Sequence, residues 1–219
     1  MNDQLILKFP SHQAYKKEDF YVSPSNQEAY DFINSWPKWI KRIINIFGPS
    51  GSGKSHLASI LKSKTSCLHM NSNELNEKTF FKFKTKEVLI IENLDEKISE
   101  KLLFSLWNSA LQDNKYFLIT SKKPINSYKF KLSDLISRVN SSLIIGIKLP
   151  SDELISVILA KNFSDKQIKV EKKHIDYIMK RIDRSYEKIS QFILTLDKYS
   201  LKKGNPFSLK LIKEVLKMI

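Results

Sequence analysis

An α/β fold is expected for this chain: a parallel five-stranded sheet with helices on both faces, followed by a small all-α C-terminal region. The expectation comes from how apolar segments are spaced. Through residue 148, short runs rich in Ile, Val, Leu and Phe alternate with stretches of helical period, as strands joined by crossover helices do. Past Leu149-Pro150-Ser151 every segment has helical period. A length of 219 residues with 42% hydrophobic content suffices for one ordinary α/β core and a smaller helical one.

Taken in order, Gln4-Leu5-Ile6-Leu7-Lys8-Phe9 comes first, with Leu5, Leu7 and Phe9 on one face of an extended segment. It reads either as an edge strand or as a linear peptide that docks in a partner's pockets. Phe20, Tyr21 and Val22 precede a helix from about Asn26 to Trp36, stopped before Pro37. These three residues are candidates to pack on a nucleotide base, or equally core. Arg42 to Phe47 reads as a buried strand and His56 to Lys64 as a helix. Ser66 to Met70 is a second strand, Asn73 to Phe83 a helix ending in Phe80, Phe81 and Phe83, and Glu87 to Ile91 a third strand. Glu100 to Gln112 places Leu102, Leu103, Leu106, Trp107 and Ala110 at helical spacing, a core stripe. Lys115 to Ser121 is a strand ending in hydroxyls, Leu132 to Val139 a short helix, and Ser142 to Ile147 the last strand. Four helices follow: Ser151 to Asn162, Glu171 to Ile182, Ser185 to Lys202 and Ser208 to Met218, with Ser151, Ser185 and Ser208 as N-caps.

The segment between the first strand and its helix, Gly48-Pro49-Ser50-Gly51-Ser52-Gly53-Lys54-Ser55, fits the phosphate-loop pattern G-x-x-x-x-G-K-[ST] at every fixed position. Glycine lets the backbone turn so that successive N–H groups point at phosphate oxygens. Lys54 supplies a point charge for the terminal phosphates, and the Ser55 hydroxyl is a ligand for Mg²⁺. The helix N-terminus after them favours the same anion. The motif implies a bound nucleoside triphosphate or diphosphate, ATP or ADP. Val88-Leu89-Ile90-Ile91-Glu92 fits the second signature, in which a carboxylate at a strand's end faces Mg²⁺; Glu92 holds that place. The next position, where an acid activates the attacking water, carries Asn93, which cannot be a base. Slow intrinsic hydrolysis is therefore expected. Thr120, at the end of the 115–121 strand, stands where a residue sensing the γ-phosphate would sit.

Charge and composition narrow the partners. The net charge is +14, yet only Arg42, Arg138, Arg181 and Arg184 are arginine. A solvated lysine surface touching DNA indirectly or non-specifically is expected over a base-reading face. The single cysteine, Cys67, allows no internal disulfide and reads as a small buried strand residue. No run reaches the ~18–20 apolar residues of a membrane span, so no membrane partner is expected. The Met1-Asn2-Asp3-Gln4 start lacks signal-peptide character, and the expected location is cytoplasmic.

The order of features resembles one family. The loop followed by His56-Leu57, the Ile91-Glu92-Asn93 strand end, Leu118-Ile119-Thr120-Ser121-Lys122-Lys123-Pro124, Leu135-Ile136-Ser137-Arg138 and the helical C-terminal segment resemble the AAA+ module of the bacterial replication initiator DnaA. More closely they are similar to the DnaA-related regulatory factors of the Hda type, since no helix-turn-helix segment follows the helices and Gln4 to Phe9 resembles a sliding-clamp-binding peptide. The resemblance implies an AAA+ P-loop NTPase fold with residues 1–12 as the clamp-binding peptide through Gln4, Leu5, Leu7 and Phe9. Residues 13–149 would form the nucleotide-binding α/β domain and 150–219 a helical lid. It implies nucleotide contacts from Phe20 and Val22, from Gly48, Pro49, Ser50, Gly51, Ser52, Gly53, Lys54, Ser55 and His56, and from Thr120. Arg138 falls at the arginine-finger position, to be lent in trans to the ATP of a DnaA-type initiator by head-to-tail docking, a geometry also open to copies of the chain itself. The implied role is to stop re-initiation by stimulating DnaA's ATP hydrolysis. A helicase-loader-type ATPase and a non-catalytic nucleotide-bound clamp adaptor are the alternatives. Two departures stand out: Lys122 where the family usually has an acid, and Glu187 at the lid-arginine position. Either Lys188 or Arg184 takes over that contact, or the lid reads the nucleotide weakly.

Overall fold

The computed structural model describes residues 19–165, 170–203 and 208–219. Gln4, Leu5, Leu7 and Phe9 lie outside the described residues. The strands are β1 (Ile43–Phe47), β2 (Cys67–Asn71), β3 (Val88–Leu94), β4 (Tyr116–Ser121) and β5 (Leu143–Gly146). The helices of the α/β part are α1 (Gln27–Asn34), α2 (Lys54–Lys62), α3 (Lys78–Lys84), α4 (Glu100–Gln112) and α5 (Ser133–Ser141); α6 (Asp152–Asp165), α7 (Lys172–Met179), α8 (Tyr186–Lys203) and α9 (Leu209–Leu216) follow.

All pairings are parallel, in the order β2-β3-β4-β1-β5. Because side chains alternate along a strand, each apolar run feeds both faces. Ile44, Ile46, Val88 and Ile90 pack with Leu57 and Leu61 of α2 on one side. Ile43, Leu89, Ile91 and Phe117 pack with Leu106 and Trp107 of α4 on the other. The last four helices enclose a core of their own, which includes Leu159, Ile178, Phe192 and Val215. Ser151, Ser185 and Ser208 cap as expected, their hydroxyls accepting from the N–H groups of Leu154, Lys188 and Leu211 at 3.2, 3.1 and 3.3 Å.

Two local expectations are revised. The helix expected from Asn73 to Phe83 is broken in two. Asn71 and Glu74 form a capping box around a 3₁₀ turn at Ser72–Glu74, and α3 starts afresh at Lys78. Of its aromatics Phe83 is buried, whereas Phe81 is 80% exposed. Cys67 is half-buried rather than buried. Among the described residues no helix is long and apolar enough to cross a membrane.

Parallel register brings three strand ends together. Ile46 and Phe47 of β1 sit opposite Thr120 and Ser121 of β4, and Ile91 of β3 opposite Ile119, with an irregularity before Leu94. The loop after Phe47, the carboxylate of Glu92 and the hydroxyl of Thr120 thus share one edge, where α/β sheets place their ligand sites.

Candidate functional site

The loop after β1 is tied to the sheet at once, as Gly48 N–H donates to Ser121 O at 3.1 Å. Gly51 and Gly53 have φ of +79° and +91°, which L side chains rarely adopt. A Cβ on Gly53 would also lie 2.9 Å from Phe20 Cε2. Helix α2 starts at Lys54, whose buried ammonium donates to Gly48 O and Pro49 O at 2.7 Å each and to Ser52 Oγ at 3.5 Å. Burial first, then the neighbouring Lys122 charge, lowers its pKa from 10.5 to about 8, against the pull of Glu92. A cation held this way, on neutral oxygens, is a site for an anion.

Next to it, Ser55 Oγ donates to Glu92 Oε2 at 2.8 Å. The other oxygen, Oε1, lies 2.8 Å from His69 Nε2 of β2. Burial raises the Glu92 pKa, but hydrogen bonds from His69 and Ser55 outweigh it and hold the carboxyl below its ordinary range. A hydroxyl and an ionised carboxylate in contact are hard oxygen donors of the kind Mg²⁺ takes. Asn93 follows at φ +54°; its N–H donates to Thr120 Oγ1 at 3.2 Å and its carbonyl accepts from Ser72 Oγ at 2.8 Å. Glu92, Asn93 and Thr120 are thereby brought together, and no carboxylate stands at position 93.

Phe20 lies against the start of α2. Its ring stacks on Tyr30 at 5.4 Å and meets His56 edge-on at 5.1 Å. Val22 is half-buried in the same segment, which Asn26 pins by donating to Tyr21 O at 3.0 Å and accepting from Ser23 N–H at 2.8 Å. From the C-terminal helices, Tyr186 and Ser190 reach the loop: a Cβ on Gly51 would be 3.2 Å from Tyr186 Cβ and 3.5 Å from Ser190 Oγ. Tyr186 is buried and its hydroxyl lies 3.4 Å from Ser25 Oγ.

Lys188 does not join them. At ~100° per residue, position 188 points to the opposite side of α8 from 186 and 190, and its ammonium donates to Ile219 O. Arg184 is held in a two-pronged pair with Asp152 at 2.7 and 3.0 Å. Both expected stand-ins for a lid arginine are engaged with other partners. Arg138 lies exposed on α5, with no side-chain partner recorded among the described residues. His69, Tyr186 and Ser190 were not singled out by sequence reasoning. Only His69 carried a signal, as a polar residue inside an apolar strand.

No family model matches this chain. It is similar to the chromosomal replication initiator protein DnaA of Borreliella afzelii, 27% identical over 94% of this chain and 48% of that protein. The chain spans about half the length of the curated relatives it matches. Domain III of the Thermotoga maritima replication initiation protein DnaA overlays with a TM-score of 0.77 at 20% identity, covering 95% of this chain and 98% of that one. AMPPCP-bound DnaA from Aquifex aeolicus overlays at a TM-score of 0.68 and 17% identity, covering 84% and 65%. The parallel sheet order, the loop at the end of β1 and the overlay along nearly the whole length show the fold of DnaA domain III.

Proposed function

We propose that this chain is an Hda-like regulator of replication initiation. It holds ADP or ATP with Mg²⁺ in its own loop and lends Arg138 to the ATP of a DnaA-type partner. Nucleotide contacts come from Gly48 to His56, with Phe20 and Val22 beside the base and Thr120 near the terminal phosphate. Mg²⁺ is held by Ser55 with Glu92. The AMPPCP of the Aquifex aeolicus relative supports a nucleotide in this fold. A peptide at Gln4, Leu5, Leu7 and Phe9 docks on the sliding clamp and brings the protein to newly replicated DNA. Lys188, bonded to Ile219 O, is not among these contacts.

One observation carries the reading. The chain presents an exposed arginine at the finger position, while its own water-activating position holds Asn93. A positive charge offered outward and a base missing inward suit a protein that completes another's site. Head-to-tail contact is the arrangement that lets one module's arginine reach its neighbour's phosphates.

The test mixes the protein with clamp-loaded DNA and ATP-bound DnaA and counts phosphate released. Wild type is expected to raise DnaA's hydrolysis. Arg138→Ala is expected to abolish the rise, a loss on the order of 10³-fold or more for an arginine finger, while unfolding stability stays within about 0.5 kcal/mol. A variant that stimulates as well as wild type removes the finger, and a wild type that binds the clamp without raising hydrolysis makes the chain a clamp adaptor.

A further inference from the structure

Glu92 is held from two sides, and only one of them belongs to the phosphate-loop machinery. The second comes from β2, where register explains the reach. His69 stands opposite Ile90 of β3, and Ile90 and Glu92 share a face because side chains alternate. His69 therefore points to the same face one diagonal step from Glu92, and its Nε2 closes on Oε1 at 2.8 Å. Ser55 takes Oε2 at 2.8 Å. A glutamate side chain turns about three bonds. Anchors on two different elements, β2 and α2, leave it one orientation. The side chains of His69 and Glu92 are 25% and 12% exposed, so water competes little for the contact.

We propose that His69 is a positioning residue for the metal site: it fixes the Glu92 carboxylate against Ser55 and thereby sets how tightly Mg²⁺ joins a bound nucleotide. The inference rests on the nucleotide reading above. His69 itself touches neither nucleotide nor metal. It donates Nε2–H to Glu92 Oε1, as outer partners of metal-ligating groups commonly do. Without it, Glu92 swings free of Ser55, and the oxygen pair is no longer presented as a unit. Binding of the nucleotide through the loop amides and Lys54 needs neither residue, so the effect is confined to the Mg²⁺ dependence.

The experiment is a titration of N-methylanthraniloyl-ADP at increasing Mg²⁺, read by fluorescence, on the purified full chain. For His69→Phe the Mg²⁺ concentration giving half the metal-dependent gain in affinity is expected to rise about 10–100-fold, the range seen for lost outer partners. Affinity without Mg²⁺ is expected to stay within about twofold. His69→Gln, whose amide nitrogen reaches the position of the imidazole Nε2, is expected to restore the wild-type curve. Adding His69→Phe to Glu92→Gln is expected to change nothing further, because His69 acts through the carboxylate. An unchanged Mg²⁺ curve for His69→Phe, or a His69→Gln curve equal to that of His69→Phe, overturns the inference and leaves the nucleotide reading standing. No binding of the labelled ADP by wild type overturns that reading, and the inference with it.

Discussion

Replacing Asn45 by leucine is expected to unfold this protein at lower denaturant, and the structure sets the size of the effect. Asn45 is a polar residue in the middle of the interior strand β1, 1% exposed, with every polar atom of its amide engaged. Its Nδ2 donates to Ile119 O at 3.1 Å and to Ser121 Oγ at 2.8 Å, and its Oδ1 accepts from the N–H of Ile125 at 2.9 Å. It thus ties β1 to the end of β4 and to the turn after it. Leucine has nearly the same shape, so little cavity or overpacking arises. The two donated bonds are worth about 0.5–1.5 kcal/mol each. The Ile125 N–H, in a residue with no exposed surface, loses its acceptor at a cost of about 1–3 kcal/mol. Burying leucine instead of an amide returns roughly 1–2 kcal/mol. With each contribution at the middle of its range the net loss is about 2–3 kcal/mol, a large share of the ~5–15 kcal/mol by which domains are stable. Urea unfolding at constant slope measures it, and amide exchange adds a local reading, because Ile125 should lose protection beyond the global change. A stability within about 0.5 kcal/mol of wild type, or an Ile125 amide as protected as before, refutes the reasoning.

Gly53→Ala is expected to cost about 1–2 kcal/mol in the same unfolding assay, from the left-handed backbone at φ +91°. The Phe20 edge, 2.9 Å from the new Cβ, can swing away, so Phe20→Leu should relieve only part of that loss. At Asn93, φ +54° predicts that Gly is tolerated within about 0.5 kcal/mol while Ala loses about 1 kcal/mol, with urea midpoints as the readout.

Much of this was legible before any coordinates. Strands such as Val88-Leu89-Ile90-Ile91 are uninterrupted apolar runs because both their faces are covered, and the glycine-lysine-serine spacing of the loop has few other uses. The serine caps at 151, 185 and 208 are local chemistry, and local chemistry reads directly. The sheet order was not readable, since periodicity marks a strand without naming its neighbours. The break before Lys78 was hidden because the Asn71–Glu74 box looks like the start of a helix, and it is one that ends after a single turn. The direction of Lys188 was hidden for a rotational reason. A motif alignment fixes sequence position to within a residue or so, and on a helix one residue is ~100°. His69 and Asn45 look like blemishes in apolar strands until the register shows what they face.

On the proposed reading, the same placements let nucleotide binding coexist with slow hydrolysis. Three things commonly convert bound ATP into a reacting ATP: a base for water, a charge closing from the lid, and freedom for the carboxylate beside the metal to adjust. Here the base position is Asn93, its backbone N–H tied to Thr120 and its carbonyl to Ser72. The charges that could close, Lys188 and Arg184, are committed to Ile219 O and Asp152. What reaches Gly51 instead is Tyr186 and Ser190, a packing contact with no charge. Glu92 is pinned between Ser55 and His69. On that reading each of the three would slow turnover, and all three leave the phosphate cradle intact. On the proposed reading that combination is what a regulator requires. Nucleotide held without consumption keeps α5 and its outward arginine in one fixed position for as long as a partner needs it.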